Sequence, residues 1–395
     1  MRPRGGFLDV HHLKATMEPI PFNRPSFVGN EGELLQEALA SGALAGLGPL
    51  TNECEAILRS CLGGPDVLLT TSCTGALEVS ALLLDLEPGD EVIVPTFTFV
   101  STAAAFSAYG ARLVFADIRS DTLNLDENQV ETLITERTRA IVVTHYGGVG
   151  AEMDVLTSLA RARGVTLIED NAHGLFGSYR DRPLGTFGAL STLSFHATKN
   201  LSSGQGGALV VTDPSLVERA HEARNNGTDR RAFERGDVDR YSWVAQGTNA
   251  VASEVTAALV LAQLRARASI TQRREEIWTR YERELVGWMA AKGVATQVVP
   301  EYCSSSFHLF PLIFPDGPTR NRFISHLASR EILSVFHYSP LHSSPMGRRF
   351  VSSNQEFPVA ESYAERLARL PLFFELTDEE QGRVVDAVLS FSEFS

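Results

Sequence analysis

From residue 67 onward the chain alternates short, unbroken apolar runs with longer stretches whose apolar positions recur at helical spacing. The runs predict strands over 67–71, 91–95, 112–118, 140–145, 166–169, 193–196 and 208–212. The stretches between them predict helices over 74–86, 99–109, 127–136 and 153–163. A strand buried on both faces reads as a continuous apolar run, because neither face meets water. Strand–helix–strand repetition of this kind predicts an α/β fold, with helices covering a mainly parallel seven-stranded sheet. Gly89, Asp90 and Gly164 stand where the chain must turn into its next strand. Ligands of such sheets collect at the carboxyl ends of the strands. Ser72 to Thr74, Asp170 and the segment 195–199 all fall at such ends, which makes them candidates for one shared site.

A long helical tract follows over 252–291, and Pro300 lies beyond its end. Strands near 307–314 and 333–337, a helix near 319–330 and a last helix from Asp378 then predict a smaller C-terminal α/β domain. The chain divides on this reading into a disordered lead over 1–19, a large domain over 20–270 and a small domain over 271–395. The segment 225–247 is long, charged and glycine-bearing, with no apolar period. Structureless stretches of that length are often functional or interfacial.

Composition narrows the function classes. The 395 residues are 44% hydrophobic and 21% charged, enough to bury a large core without disulfides. A formal net charge of −13 argues against a nucleic-acid surface or a polybasic membrane patch. Cys54, Cys61, Cys73 and Cys303 form no paired C-x-x-C, so neither a zinc nor a redox motif is indicated. Scattered thiols fit a reducing cytoplasm, and no apolar run is long enough to cross a bilayer. The basic start of the chain lacks the apolar core of a secretory signal. His11 and His12 have no further ligands near them in sequence, so no metal site is expected.

Four groups carry possible chemistry. Lys199 follows an apolar strand and precedes Gly204 and Gly207. A desolvated ammonium loses its proton more readily, and the neutral amine can form an imine with an aldehyde. A solvated loop lysine is the alternative. Asp170 ends the strand 166–170, where a carboxylate can hold a protonated pyridine nitrogen; a turn or capping aspartate is the alternative. Glu169 competes with it, but adjacent strand residues point to opposite faces, so only one of the two reaches a given site. Ser72, Cys73, Thr74 and Gly75 join a buried strand to an apolar helix, a place where N–H groups and hydroxyls cradle a phosphate or simply cap the helix. Phe99 follows another strand and offers a face for ring stacking, or a core side chain. Their order along one sheet is the stronger signal: phosphate cradle, ring stacker, pyridinium partner, imine lysine.

Ser72 to Gly75, the segment 95–102, Glu169 to His173, the segment 194–200 and Gly204 to Gly207 together resemble the DegT/StrS family of sugar-nucleotide aminotransferases. The likeness runs from about Ile20 to the C-terminus. Ile20 to Asn23, the segment 91–102, His145 and Tyr146, the segment 336–342 and the segment 370–373 are most similar to the branch that makes dTDP-4-amino-4,6-dideoxygalactose. The resemblance implies a fold type I transferase using pyridoxal 5′-phosphate (PLP), working as a homodimer with shared active sites. It implies Lys199 as the imine lysine, Asp170 on the ring nitrogen, Phe99 stacked on the ring and His173 near the ring hydroxyl. It places Thr74, Gly75 and Ser194 on the phosphate, joined by Asn249 of the partner subunit, although Ala250 follows Asn249 where many members have an aromatic residue. His337, Tyr338 and His342 are candidates for shaping the sugar or donor site, with packing histidines as the alternative. The implied reaction moves an amino group from L-glutamate to a dTDP-linked keto sugar. Relatives that are dehydratases carry histidine in place of the lysine, so Lys199 argues against that activity. A PLP-binding regulator without turnover is disfavoured by the complete set of cofactor residues.

Overall fold

A computed structural model describes residues 18–352 and 354–393 of the chain; His11, His12 and most of the expected lead over 1–19 lie outside these residues. Two helices, α1 (Glu31–Ser41) and α2 (Pro49–Cys61), precede the first strand. Strict alternation follows through β1 (Asp66–Thr70), α3 (Cys73–Leu83), β2 (Glu91–Pro95), α4 (Ser101–Ala108), β3 (Arg112–Ala116), α5 (Glu127–Leu133), β4 (Thr138–Thr144), α6 (Met153–Arg163) and β5 (Thr166–Asp170). A short hairpin, β6 (Ser178–Tyr179) and β7 (Arg182–Pro183), leads into β8 (Leu190–Ser194) and β9 (Gly207–Val211). Helices α7 (Val217–Arg224), α8 (Arg230–Arg235), α9 (Glu254–Arg265) and α10 (Arg267–Lys292) come next. The C-terminal part holds β10 (Cys303–Ser304), β11 (Phe310–Ile313), α11 (Gly317–Ala328), α12 (Pro358–Arg366), β12 (Leu367–Leu370) and α13 (Asp378–Leu389).

The main sheet has seven strands in the order β1-β9-β8-β5-β4-β2-β3. All pairs are parallel except those made by β9, which runs against both β1 and β8. The carboxyl ends of β1, β2, β4, β5 and β8 therefore share one edge, and β9 begins at that same edge. Apolar clusters cover the sheet on both faces, from Leu68, Val94, Val142 and Ile168 in one to Leu69, Leu193 and Ala208 in another. This mixed, mostly parallel architecture is the α/β fold expected from the unbroken apolar runs. A second core gathers Ile277, Tyr281, Leu285, Phe310, Phe323 and Val384, and Ile20 joins it. Ile20 pairs with Ile332 as an isolated parallel bridge, so the start of the described chain packs on the C-terminal part.

Three details depart from the sequence pattern. The tract 252–291 is two helices, broken at Ala266, where φ is −92° and ψ is 4°. The break lets α9 and the first turn of α10 pack in one core, through Leu261 and Ile270, and the rest of α10 in the other, from Ile277 onward. The segment 333–337 is not a strand; it bridges Arg369 at Val335 only, because it runs along a cavity wall. The strand that pairs with β11 is β12. The segment 225–247 also contains the short helix α8, and beyond it Tyr241, Trp243 and Val244 stand exposed.

Gly207 opens β9 against the turn that enters α3. A Cβ there would lie 2.3 Å from the backbone nitrogen of Cys73 and 2.4 Å from the carbonyl carbon of Ser72. Both are backbone atoms, so the turn itself would have to move. Gly207→Ala is expected to cost about 1–3 kcal/mol of stability, read as a lower melting temperature by circular dichroism. An unchanged melting temperature would contradict the close approach.

Candidate active site

The carboxyl edge of the sheet opens into a cavity of about 770 Å³. It is walled on the sheet side by Ser72, Thr74, Phe99, Asp170, Ser194 and Lys199, and on the C-terminal side by His308, Phe336, His337, Tyr338 and Arg369.

The loop that carries Lys199 is tied at several points. Phe195 donates to the Gly206 carbonyl at 2.9 Å and Ala197 to that of Gly204 at 3.0 Å. Asn23 donates to the Ala197 carbonyl and Asn200 to that of Ser306. The lysine backbone is thus fixed, while Nζ makes no hydrogen bond or ion pair among the described residues. Burial depresses its pKa to about 8, against the opposing pull of the Cys73 and Asp170 side chains. An unpaired, partly deprotonated amine facing a cavity is a nucleophile rather than a structural cation.

Asp170 and Glu169 separate as their strand positions require. Glu169 faces away from the cavity. It accepts from His145 Nε2 at 2.8 Å and from the backbone N–H groups of Gly185, Phe187 and Gly188. Asp170 lines the cavity, with Oδ2 accepting from the Thr102 hydroxyl at 2.5 Å and Oδ1 from the N–H of Ala172 at 3.2 Å. Each oxygen keeps a lone pair for a ligand. Burial raises the Asp170 pKa, while the Thr102 hydroxyl and the Lys199 charge hold it down. A protonated ring nitrogen would take the place of water here and favour the carboxylate.

Helix α3 begins at the floor of the cavity. Ser72 caps it, its hydroxyl accepting from the Gly75 N–H at 3.0 Å. The N–H groups of Cys73 and Thr74 have no acceptor within the helix. They add to the Ser194 and Thr74 side chains a cradle suited to a phosphate. Gly75 sits one residue deeper and does not line the cavity. Phe99, 55% exposed, offers an uncovered ring face at the mouth. This set fits PLP: a phosphate seat, a stacking face, an acid for the ring nitrogen and an unpaired amine.

The opposite wall is a cluster of neutral rings. Burial holds His173, His308 and His337 well below the ordinary histidine pKa. Nδ1 of His173 accepts from the Gly147 N–H at 3.3 Å, so its proton lies on Nε2, which is 3.4 Å from the Tyr338 hydroxyl. The His173 and His308 rings lie 4.3 Å apart, and His308 bonds Asn200 beside Lys199. His337 bonds the Tyr146 hydroxyl at 3.0 Å. Among the described residues no group of three or more His, Cys, Asp or Glu could hold a metal ion.

Two candidates lie away from the cavity. His342 bonds Thr96 at 2.7 Å and Glu361 at 3.0 Å and stacks on Phe357, so it ties β2 to the C-terminal part as a packing residue. Asn249 is exposed and meets Asn225 through its backbone. Sequence reasoning passed over Thr102, His308 and Arg369. An arginine inside the apolar run of β12 was the one local signal for the last.

Residues 26–389 match the DegT/DnrJ/EryC1/StrS aminotransferase family. Spore coat polysaccharide biosynthesis protein SpsC of Bacillus subtilis is 32% identical over 377 residues, covering 93% of this chain and 96% of that protein. The structure of aminotransferase TlmJ from Streptoalloteichus hindustanus superposes with a TM-score of 0.86 at 32% identity, over 94% of this chain and 98% of that one. The PLP form of a sugar aminotransferase, Spr1654 of Streptococcus pneumoniae, described as putative, superposes with a TM-score of 0.86 at 27% identity, over 94% and 98% of the two chains.

Proposed function

Since this chain belongs to the DegT/DnrJ/EryC1/StrS aminotransferase family, and so is a PLP-dependent sugar aminotransferase of fold type I, we propose that it aminates C4 of a dTDP-linked 4-keto-6-deoxyhexose. The donor is L-glutamate and the product dTDP-4-amino-4,6-dideoxygalactose or a close analogue.

One observation carries the choice of substrate. The segments most similar to the dTDP-4-amino-4,6-dideoxygalactose branch are far apart in sequence, yet Phe22, Asn23, Phe336, His337, Tyr338, Leu370 and Leu372 all line the cavity. Part of that likeness therefore lies on the walls of the cavity, where a substrate would bind, beside the part that lies in the core.

Bound in the cavity, PLP supplies an aldehyde that takes up and passes on the amino group, and a ring that delocalises charge. The chain's own residues do the rest. Lys199 would hold the cofactor through Nζ and, as a free amine, would carry the proton from the donor's Cα to the cofactor carbon that takes the amino group. Release from the neighbouring atom leaves Nζ within reach of that carbon. Asp170 keeps the ring nitrogen protonated. Phe99 would cover the ring, His173 would lie near its hydroxyl, and Thr74, Ser194 and the start of α3 would hold the phosphate. The reading includes a homodimer in which Asn249 of the partner subunit completes the phosphate seat. The exposure of Asn249 and of the neighbouring Trp243, 80% exposed, supports this.

The test is a panel of dTDP- and UDP-linked 4-keto and 3-keto sugars, with L-glutamate and PLP, and product identification by NMR. The dTDP-4-keto-6-deoxy sugar should turn over fastest, giving the C4 amine with galacto configuration. Faster amination of a UDP-linked or 3-keto sugar would replace this substrate assignment.

A further inference from the structure

Arg369 is a half-buried cation that the reaction described above does not use. It sits in β12 between Ala368 and Leu370, both fully buried. Its backbone is pinned by the Val335 carbonyl at 2.9 Å and by the Ser334 hydroxyl at 2.8 Å. Its guanidinium lies 4.6 Å over the Phe22 ring and lines the cavity. Nη2 donates to the Phe336 carbonyl at 2.9 Å, while Nε is buried with no hydrogen-bond partner. Among the described residues no carboxylate pairs with it. Among the described residues, the only carboxylate lining the cavity is Asp170, whose oxygens already accept from Thr102 and Ala172.

Arg224 and Arg274, both buried, differ in how the fork is paired, although Nε of Arg224 also lacks a hydrogen-bond partner. Arg224 pairs with Glu55 at 2.9 Å. Arg274 spends Nε and Nη2 on the carbonyls of Phe307 and His308, so it serves to hold the His308 segment in place. A buried guanidinium with unused donors costs stability unless a ligand completes it. Its planar fork suits a carboxylate, which it can grip through two parallel hydrogen bonds.

We propose that Arg369 is the binding site for a carboxylate of the amino donor, the anchor that aims the donor amine at the position of Lys199 Nζ. The inference rests on the aminotransferase reading with an amino-acid donor. Placement favours the donor over the nucleotide. Arg369 lines the same cavity as Lys199, His173 and His337, its Nη2 on the carbonyl of Phe336 next to His337, and its charge is felt by all three. A donor carboxylate is attached to the very carbon that bears the reacting amine. The diphosphate of a sugar nucleotide is separated from a C4 keto group by the sugar ring, and so belongs farther out. The Phe22 ring, 4.6 Å from the guanidinium carbon, packs against the fork.

Arg369→Gln and Arg369→Lys in the PLP-loaded protein test this. Binding of 2-oxoglutarate and of thymidine diphosphate is measured by calorimetry. The glutamate half-reaction is followed by the loss of visible absorbance, with no sugar present. In Arg369→Gln, 2-oxoglutarate affinity and half-saturation by glutamate should weaken at least about 30-fold, within the usual worth of hydrogen bonds to a charged group. Thymidine diphosphate binding should stay within twofold, and the half-reaction rate at saturating glutamate should fall less than its half-saturation. Arg369→Lys should recover part of the loss, since it keeps the charge but not the fork. Unchanged 2-oxoglutarate affinity overturns the proposal. So does selective loss of thymidine diphosphate binding, which would assign Arg369 to the nucleotide, and so does equal loss of both, which would report a collapsed cavity. If the wild-type protein neither binds 2-oxoglutarate nor reacts with glutamate, the donor assignment falls and this inference with it. If the wild type responds and Arg369→Gln responds equally, only this inference fails.

Discussion

Lys199→Ala is expected to reduce turnover by at least about 10⁴-fold, because one side chain both attaches the cofactor and moves the proton. The variant should still fold, since Nζ has no partner among the described residues to lose. The PLP-loaded variant should lack the visible band of the lysine-bound cofactor, and added amines of small size should restore a little activity. Turnover near the wild-type rate would remove Lys199 from the reaction. The depressed pKa adds a second readout on the wild type. With a pKa near 8 instead of the ordinary 10.5, about a tenth of the amine is neutral at pH 7, compared with about 0.03% for a solvated lysine. Reconstitution of the cofactor-free protein with PLP should therefore quicken about tenfold per pH unit up to about pH 8 and then level off. A rate still climbing toward pH 10 would mean that burial does not depress this amine.

Asp170→Asn should lower turnover by about 10²–10³-fold, the usual loss when one preorganised electrostatic partner is removed from a water-poor site. The amide can still accept from Thr102, so the backbone and cavity should keep their shape. It cannot hold a proton on the ring nitrogen. The proton-removal step should fall most, seen as a larger kinetic isotope effect with Cα-deuterated glutamate. Asp170→Glu should retain more activity than Asp170→Asn, since it keeps the charge. A variant amide that turns over within about threefold of wild type would show that the ring does not depend on this acid. The opposite face of the strand makes the contrast clear. Glu169 is equally buried, but its four donors are His145 and three backbone N–H groups of the segment 185–188. It therefore stabilises the fold and does not touch the cavity.

The legibility of this protein in its sequence varied by element. Strands β2 to β5 were plain, because burial on both faces leaves an uninterrupted apolar run that no helix of that length imitates. The break at Ala266 was not plain, since α9 and α10 are both helical and differ only in which core they join. Strand β12 was hidden because Arg369 interrupts its apolar run, and the segment 333–337 looked like a strand because its apolar residues line a cavity wall. His337 and His342 were indistinguishable by local pattern. Folding turned the first into the cavity and the second onto Thr96, Glu361 and Phe357.

The sequence by itself determined the alternating α/β plan, the opposite facing of Glu169 and Asp170, and the family to which Lys199 belongs. These depend on local periodicity and on the order of motifs along the chain, which survive without knowledge of contacts. Only the tertiary structure decided which charged groups face the cavity without a carboxylate partner among the described residues. Lys199 Nζ and the Arg369 guanidinium read as ordinary cations in the sequence, because hydrogen-bond satisfaction is a property of what long-range packing brings within about 3 Å. The fold sets both against one cavity, more than 160 residues apart in sequence, and among the described residues gives neither an ion pair with a carboxylate.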